Sequence, residues 1–65
     1  MKKKFKKTTS CLYMLMLFLE TNKFDKEYLT VNLEITELDF YRYKSEIINM
    51  FYDFDYYDLI EKIDN

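Results

Sequence analysis

The chain has 65 residues and a formal net charge of −2, and 49% of its residues are hydrophobic. Its single cysteine, Cys11, excludes a disulfide framework within one chain, and the absence of histidine and glycine excludes zinc clusters, histidine-based catalytic pairs and glycine-rich phosphate loops. We therefore expect a cytoplasmic, non-enzymatic protein that uses no cofactor and no metal ion.

The composition also indicates the source of the chain and the size of its core. Phe, Tyr, Met, Ile, Asn and Lys, whose codons are AT-rich, make up 35 of the 65 residues, so we infer an AT-rich bacterium or its phage. One domain of this size buries only about 60% of its unfolded surface. Because 20% of the residues are aromatic, we expect apolar surface to meet a partner or a second copy. A homodimer is expected to form through the C-terminal aromatics, which are Phe51, Tyr52, Phe54, Tyr56 and Tyr57.

The N-terminus is rich in lysine. Residues 1–8 include five lysines and are expected to form a disordered basic arm, followed by a single domain over residues 9–65. The apolar run CLYMLMLFL after a charged start also resembles a secretory signal. The run ends in Glu20, Thr21 and Asn22 without a small-residue cleavage pattern, which disfavours that alternative. Nine apolar residues are about half of a membrane span, so no membrane association is expected.

A first helix is predicted to begin after Thr9 or Ser10 as its cap and to end near Thr21. The three- and four-residue spacing of apolar residues predicts a buried face. That face consists of Leu12, Leu15, Met16 and Leu19. The flanks of this helix are also apolar, so we expect it to be covered on more than one side.

Two further helices are predicted around a tight turn. Asp25 is expected to cap a helix over residues 26–32, and Thr36 a longer helix from Glu37 to about Phe51. In the longer helix the apolar residues recur at three- and four-residue steps and predict one buried stripe. The stripe comprises Phe40, Tyr43, Ile47 and Met50 or Phe51, and in the shorter helix Tyr28, Leu29 and Asn32 are expected to share a face.

These two helices resemble the DNA-binding domain of winged helix-turn-helix repressors of the DeoR-like and WYL-associated kind. The residues that carry the resemblance are Phe24, Asp25, Tyr28, Leu29, Leu33, Ile35, Thr36, Phe40, Tyr41, Arg42 and Tyr43. The chain departs from the pattern at Glu34, where the turn usually has glycine, and at Leu38 and Asp39, where a basic and a small polar residue usually face DNA. The resemblance implies a mainly α fold, a three-helix helix-turn-helix of winged-helix type.

The C-terminal segment DFDYYDLIEKIDN fits two structures. As a strand, Tyr57, Leu59, Glu61 and Ile63 would alternate with polar and aromatic residues and resemble the first strand of a truncated wing. As a helix, Asp55 would be its cap and the apolar residues would share one face. That face would contain Tyr56, Leu59, Ile60 and Ile63. The resemblance slightly favours the strand.

Charge separates two functional hypotheses. The net charge of the chain is −2, and the five lysines of the arm contribute +5 to it. Residues 8–65 therefore carry a net charge of −7. Such a body repels DNA and attracts basic protein surfaces. We therefore expect an acidic, tyrosine-rich surface that occupies the nucleic-acid site of a protein partner, as small anti-CRISPR-like inhibitors do. The residues expected to form it are Glu37, Asp39, Tyr41, Asp53, Asp55 and Asp58.

The alternative is a DNA-binding transcriptional regulator of the winged helix-turn-helix type. The residues expected to contact DNA are Lys3, Lys4, Lys6, Lys7, Tyr41, Arg42 and Lys44. The carboxylates of Asp53, Asp55 and Asp58 are also compatible with acid–base or magnesium chemistry. We expect them to form a solvated acidic face instead, since nothing in so short a chain predicts a pocket around them.

Overall fold

A computed structural model describes residues 5–63, which form four helices. They are α1 (Lys7–Thr21), α2 (Lys26–Leu33), α3 (Glu37–Asp53) and α4 (Tyr57–Ile63). No β-strand is present between residues 5 and 63. The mainly α class is therefore confirmed, and the C-terminal segment is the helix rather than the strand of a wing.

Helix α1 begins earlier than predicted. Its N-cap is Lys6, which makes no side-chain capping hydrogen bond. The helix includes Lys7 and Thr8, so the predicted boundary of the arm after residue 8 is wrong. The predicted cap at Thr9 or Ser10 is wrong, because the amide of Ser10 already donates to the carbonyl of Lys6 in the first turn. The first four residues of the arm lie outside the described part of the chain.

The buried face of α1 also differs from the prediction. Ser10, Met14 and Phe18, spaced four residues apart, are fully buried. The predicted face instead points outward, with Leu12 62%, Met16 46% and Leu19 54% exposed and Leu15 half-buried. The helix is apolar on both faces, so periodicity alone does not determine which one packs against α3.

The connection between α2 and α3 is as predicted. The carboxylate of Asp25 accepts from the amide of Tyr28 at 3.1 Å, and the hydroxyl of Thr36 accepts from the amide of Asp39 at 3.0 Å. Glu34 ends α2 in the left-handed conformation, with φ 54° and ψ 46°. A residue with a Cβ is strained in that conformation, which explains why glycine is the usual residue at such a turn.

The core lies where α1 and α2 pack against α3. Its buried members are Met14, Phe18, Leu29, Leu33, Phe40, Ile47 and Phe51. The stripe predicted for α3 is confirmed, whereas Tyr28 and Asn32 of α2 are exposed and Leu33 is buried in their place. The ring of Phe18 stacks on Phe24 with centroids 4.6 Å apart and contacts Phe51 at 5.9 Å. Phe18 thus joins α1, the segment before α2, and α3.

Helix α4 is attached to this core at one side. It packs mainly against α3 and has no fully buried residue. Leu59, Ile60 and Ile63 are half-buried against the core, as expected for the helical alternative, whereas Tyr56 is half exposed. Asp55 does not cap α4, because it adopts a left-handed conformation with φ 62° in the turn that precedes it.

Candidate functional site

The two acidic residues predicted at the start of α3 are already paired with cations. The Glu37 carboxylate forms an ion pair with Lys26 of α2, and the Asp39 carboxylate lies 4.0 Å from the Arg42 guanidinium. The ammonium of Lys26 also lies 5.8 Å from the ring centroid of Tyr41. This end of α3 is therefore electrically balanced, which weakens its attraction for either a basic protein or DNA.

The lysines proposed for DNA contact have different environments. Lys3 and Lys4 lie outside the described residues, and Lys6 is exposed just before α1. Lys7 forms an ion pair with Glu46 in the middle of α3. The Lys7 ammonium donates a hydrogen bond to the Glu46 carboxylate, which raises the pKa of Lys7 above its usual value. Lys7 is thus part of the contact between α1 and α3 rather than a mobile arm.

The two cations proposed on α3 also differ. The side chain of Arg42 is 65% exposed beside Asp39. The ammonium of Lys44 lies 5.6 Å from the ring centroid of Phe24, and the residue is half-buried. Of these two, Arg42 is the better placed to contact another molecule.

The most distinctive surface lies between α3 and α4. We call residues 52–58 the acidic corner, because they include three aspartates, Asp53, Asp55 and Asp58. All seven residues are exposed. Its aromatic rings form two contacting pairs, Tyr52 with Tyr57 at 6.2 Å and Phe54 with Tyr56 at 6.1 Å. Each of these four residues is half exposed or more, with Phe54 at 65%. The sequence predicts a dimer contact for these four rings together with Phe51, and the prediction is wrong for Phe51, which is buried in the core. That the four rings form pairs beside the predicted carboxylates is not apparent from the sequence.

No cation of the described residues is paired with a carboxylate of the acidic corner. Within residues 5–63 no lysine or arginine forms an ion pair with Asp53, Asp55 or Asp58. The Tyr57 hydroxyl donates to the Asp55 carboxylate at 2.9 Å. Three negative charges and four rings therefore share one surface, in contrast to the balanced start of α3.

The backbone holds the acidic corner in a defined turn. The amide of Tyr56 donates to the carbonyl of Phe51 at 2.7 Å, and the amide of Phe54 donates to the carbonyl of Met50 at 3.1 Å. Phe51 is fully buried, so this turn is anchored in the core. Asp55 follows the C-cap Phe54 in the left-handed conformation, with φ 62°, as is common for the residue that ends a helix.

The shape of the acidic corner suits a large ligand. Three surface clefts of about 240, 280 and 190 Å³ lie along α1, and none is lined by residues of the corner. Small-molecule sites are usually concave and larger than about 300 Å³. Across the described part of the chain, no group of three or more acidic or cysteine side chains is arranged to hold a metal ion. Exposed tyrosine and phenylalanine side chains, such as those of the acidic corner, are typical of contact with another macromolecule.

Comparison with protein families, with curated proteins and with solved structures found no match to this chain. The helices between residues 5 and 63 include none that is both long and apolar enough to cross a bilayer.

Proposed function

We propose that this protein is a non-enzymatic, helix-turn-helix-like module of an AT-rich bacterium or phage that binds a basic protein surface through its acidic corner. By doing so it occupies the site at which that partner binds nucleic acid, in the manner of an anti-CRISPR-like inhibitor. The observation that carries the proposal is the combination of four exposed rings with three carboxylates that no described cation neutralises.

The chemistry of the acidic corner is complementary to that of a nucleic-acid-binding site on another protein. Such sites present arginine and lysine side chains to phosphates and bases. Carboxylates form charge-assisted hydrogen bonds with these cations, and aromatic faces bind guanidinium groups by cation–π contact. The aspartates and tyrosines of the corner offer both kinds of contact, and tyrosine is frequent among the residues that dominate binding energy in interfaces.

DNA binding is the second candidate function. The order of α2 and α3 around a capped turn, together with the exposed Arg42, supports it. In that arrangement Arg42 reads the duplex and the N-terminal lysines neutralise phosphates. The ion pairs at Glu37 and Asp39 place carboxylates beside the cations that would approach the phosphates, which favours the protein-directed function.

Fluorescence anisotropy with two probes tests the proposal. One probe is a labelled ten-residue arginine-rich peptide, and the other is a labelled DNA duplex of about 20 base pairs. We expect the double variant Asp55→Lys/Asp58→Lys to bind the peptide at least about tenfold more weakly than the wild type, because like charges then face each other.

The matched control is Glu37→Lys/Asp39→Lys, which changes the net charge by the same amount on a different surface. We expect it to affect peptide binding less than the change at the corner. Equal losses in both variants would show that total charge, and not the corner, governs binding. Tight, sequence-selective binding of the duplex that is lost in Arg42→Ala would instead establish the DNA-binding function.

A further inference from the structure

Helix α1 presents a second apolar surface that the fold leaves open. We call Leu12, Met16 and Leu19 its outer face, since they are spaced four and three residues apart and are roughly half exposed or more. They lie opposite Ser10, Met14 and Phe18, which face the core. Their spacing places them in one line along the helix, as in the seam between two packed helices.

Helix α1 itself adds no charged side chain to this surface, and the nearest charged residue of α3 is Glu46, which lines a cleft beside Leu12 and is already paired with Lys7. The twelve residues from Thr8 to Leu19 carry no charge, whereas lysines precede them and Glu20 follows them. Surface helices normally place charged residues on the face that meets water. An uncharged helix with apolar residues on both sides is typical of one that packs on both sides.

The charges at the two ends of α1 identify what covers the outer face. At 100° per residue, Lys6 and Glu20 fall on the same flank of the outer face but at opposite ends of the helix. When two copies of such a helix pack antiparallel about a two-fold axis, equal flanks meet and opposite ends come together. Lys6 of each copy then approaches Glu20 of the other, so the ends of the helix complement each other.

We propose that two copies of this protein associate through the outer faces of their α1 helices, packed antiparallel. Leu12 of one copy lies against Met16 of the other on both sides of the two-fold axis. The contact uses no residue of the acidic corner. It replaces the C-terminal aromatics as the dimer contact expected from composition.

The size of the outer face sets the strength of this dimer. Stable interfaces bury about 800 Å² on each partner, which is more than three side chains on one helix supply. We therefore expect a reversible dimer with a dissociation constant on the order of tens of micromolar. A lipid surface is a poorer match for the outer face, because the −7 charge of residues 8–65 is repelled by anionic headgroups.

Analytical ultracentrifugation of the full chain between 5 and roughly 500 µM tests the proposal. We expect the wild type to shift from monomer to dimer over this range and Leu12→Glu to remain monomeric. Val31→Glu is the matched control, since Val31 is 73% exposed on α2, and it should dimerise like the wild type. Circular dichroism of each variant verifies that the helices are retained.

Charge exchange tests the antiparallel orientation. Lys6→Glu and Glu20→Lys should each weaken the dimer several-fold, and the double variant should recover much of the loss because the pair is restored with its signs reversed. Three results would overturn the proposal. They are a wild type that stays monomeric throughout, a dimer that survives Leu12→Glu but is lost in Phe54→Glu, and a monomer that co-sediments with vesicles of phosphatidylcholine and phosphatidylglycerol.

Discussion

The ammonium of Lys26 in α2 is hydrogen-bonded to the carboxylate of Glu37 at the start of α3, so an ion pair spans the connection between the two helices. The pair joins residues on either side of the strained Glu34. It also neutralises one of the carboxylates that the sequence singles out for binding a partner. A structural role for Glu37 therefore competes with the binding role that we expected for it.

This ion pair makes the free energy of unfolding depend on pH, and the direction of that dependence follows from the pKa of Lys26. The hydrogen bond to Glu37 raises the pKa of Lys26 above its usual value of 10.5. The stabilisation from the pair is fully present below that usual value and is lost as the pH rises through the raised pKa. An NMR titration of the Lys26 side chain should show a midpoint above that of free lysine. In Glu37→Gln the midpoint should return toward the ordinary value, and an unchanged midpoint would show that the pair is absent in solution.

Two methionines of α1 provide a matched test of which face is buried. Met14 is fully buried and Met16 is 46% exposed, two residues away. Met14→Ala should lower the free energy of unfolding by about 2–5 kcal/mol, because it removes buried methylene groups and leaves a cavity. That is a large part of the roughly 3–10 kcal/mol expected for a domain of this length.

Urea unfolding followed by circular dichroism at low micromolar concentration measures this difference. Met16→Ala should change the free energy of unfolding by no more than about 0.5 kcal/mol under these conditions, where the protein is monomeric. If Met16→Ala is the more damaging substitution, the rotation of α1 in solution is the one that the sequence predicted.

Replacing Glu34 with glycine should stabilise the protein. The left-handed conformation of Glu34 costs about 1–2 kcal/mol for a residue with a Cβ, and glycine removes most of that strain while adding entropy to the unfolded chain. We expect the free energy of unfolding, measured with urea, to rise by up to about 1 kcal/mol. Asn22→Gly is the control, since Asn22 has a similar φ of 62° but asparagine tolerates it. A gain at Asn22 equal to that at Glu34 would exclude strain as the cause.

Cys11 should be a poor nucleophile. Partial burial raises the pKa of its thiol, which lowers the thiolate fraction at neutral pH. At pH 8 a thiol reagent should label it at least about tenfold more slowly than Leu12→Cys in a Cys11→Ser background, because position 12 is 62% exposed. Labelling of Cys11 should accelerate as the pH rises and as urea is added. Equal rates at the two positions would refute the shielding of Cys11.

The parts of the fold that the sequence predicted correctly depend on local chemistry. Asp25 and Thr36 cap their helices through hydrogen bonds within four residues, and the stripe of α3 stands out against polar neighbours. Neither condition holds in α1, where the uncharged, mostly apolar run fits two rotations of the helix. There the tertiary packing of Met14 and Phe18 decided the outcome.

Residues 56–63 and the acidic corner were likewise only partly predictable from the spacing of residues in the sequence. Both alternation and helical spacing fit residues 56–63, and the helix forms where Leu59, Ile60 and Ile63 can all face the core. The acidic corner was partly predictable, since its aspartates were named. That its rings pair with each other, and that Glu37 and Asp39 are balanced by Lys26 and Arg42, depends on side-chain positions that no spacing rule supplies.

The one-sided attachment of α4 has a consequence for hydrogen exchange. A helix of seven residues with no fully buried side chain can open without unfolding α1 to α3. Amide protons of α4 should therefore exchange through local opening, at rates well above those of Phe40 or Ile47 in α3. A partner bound at the acidic corner would hold this opening closed, so slowed exchange confined to α4 would report that the corner is occupied.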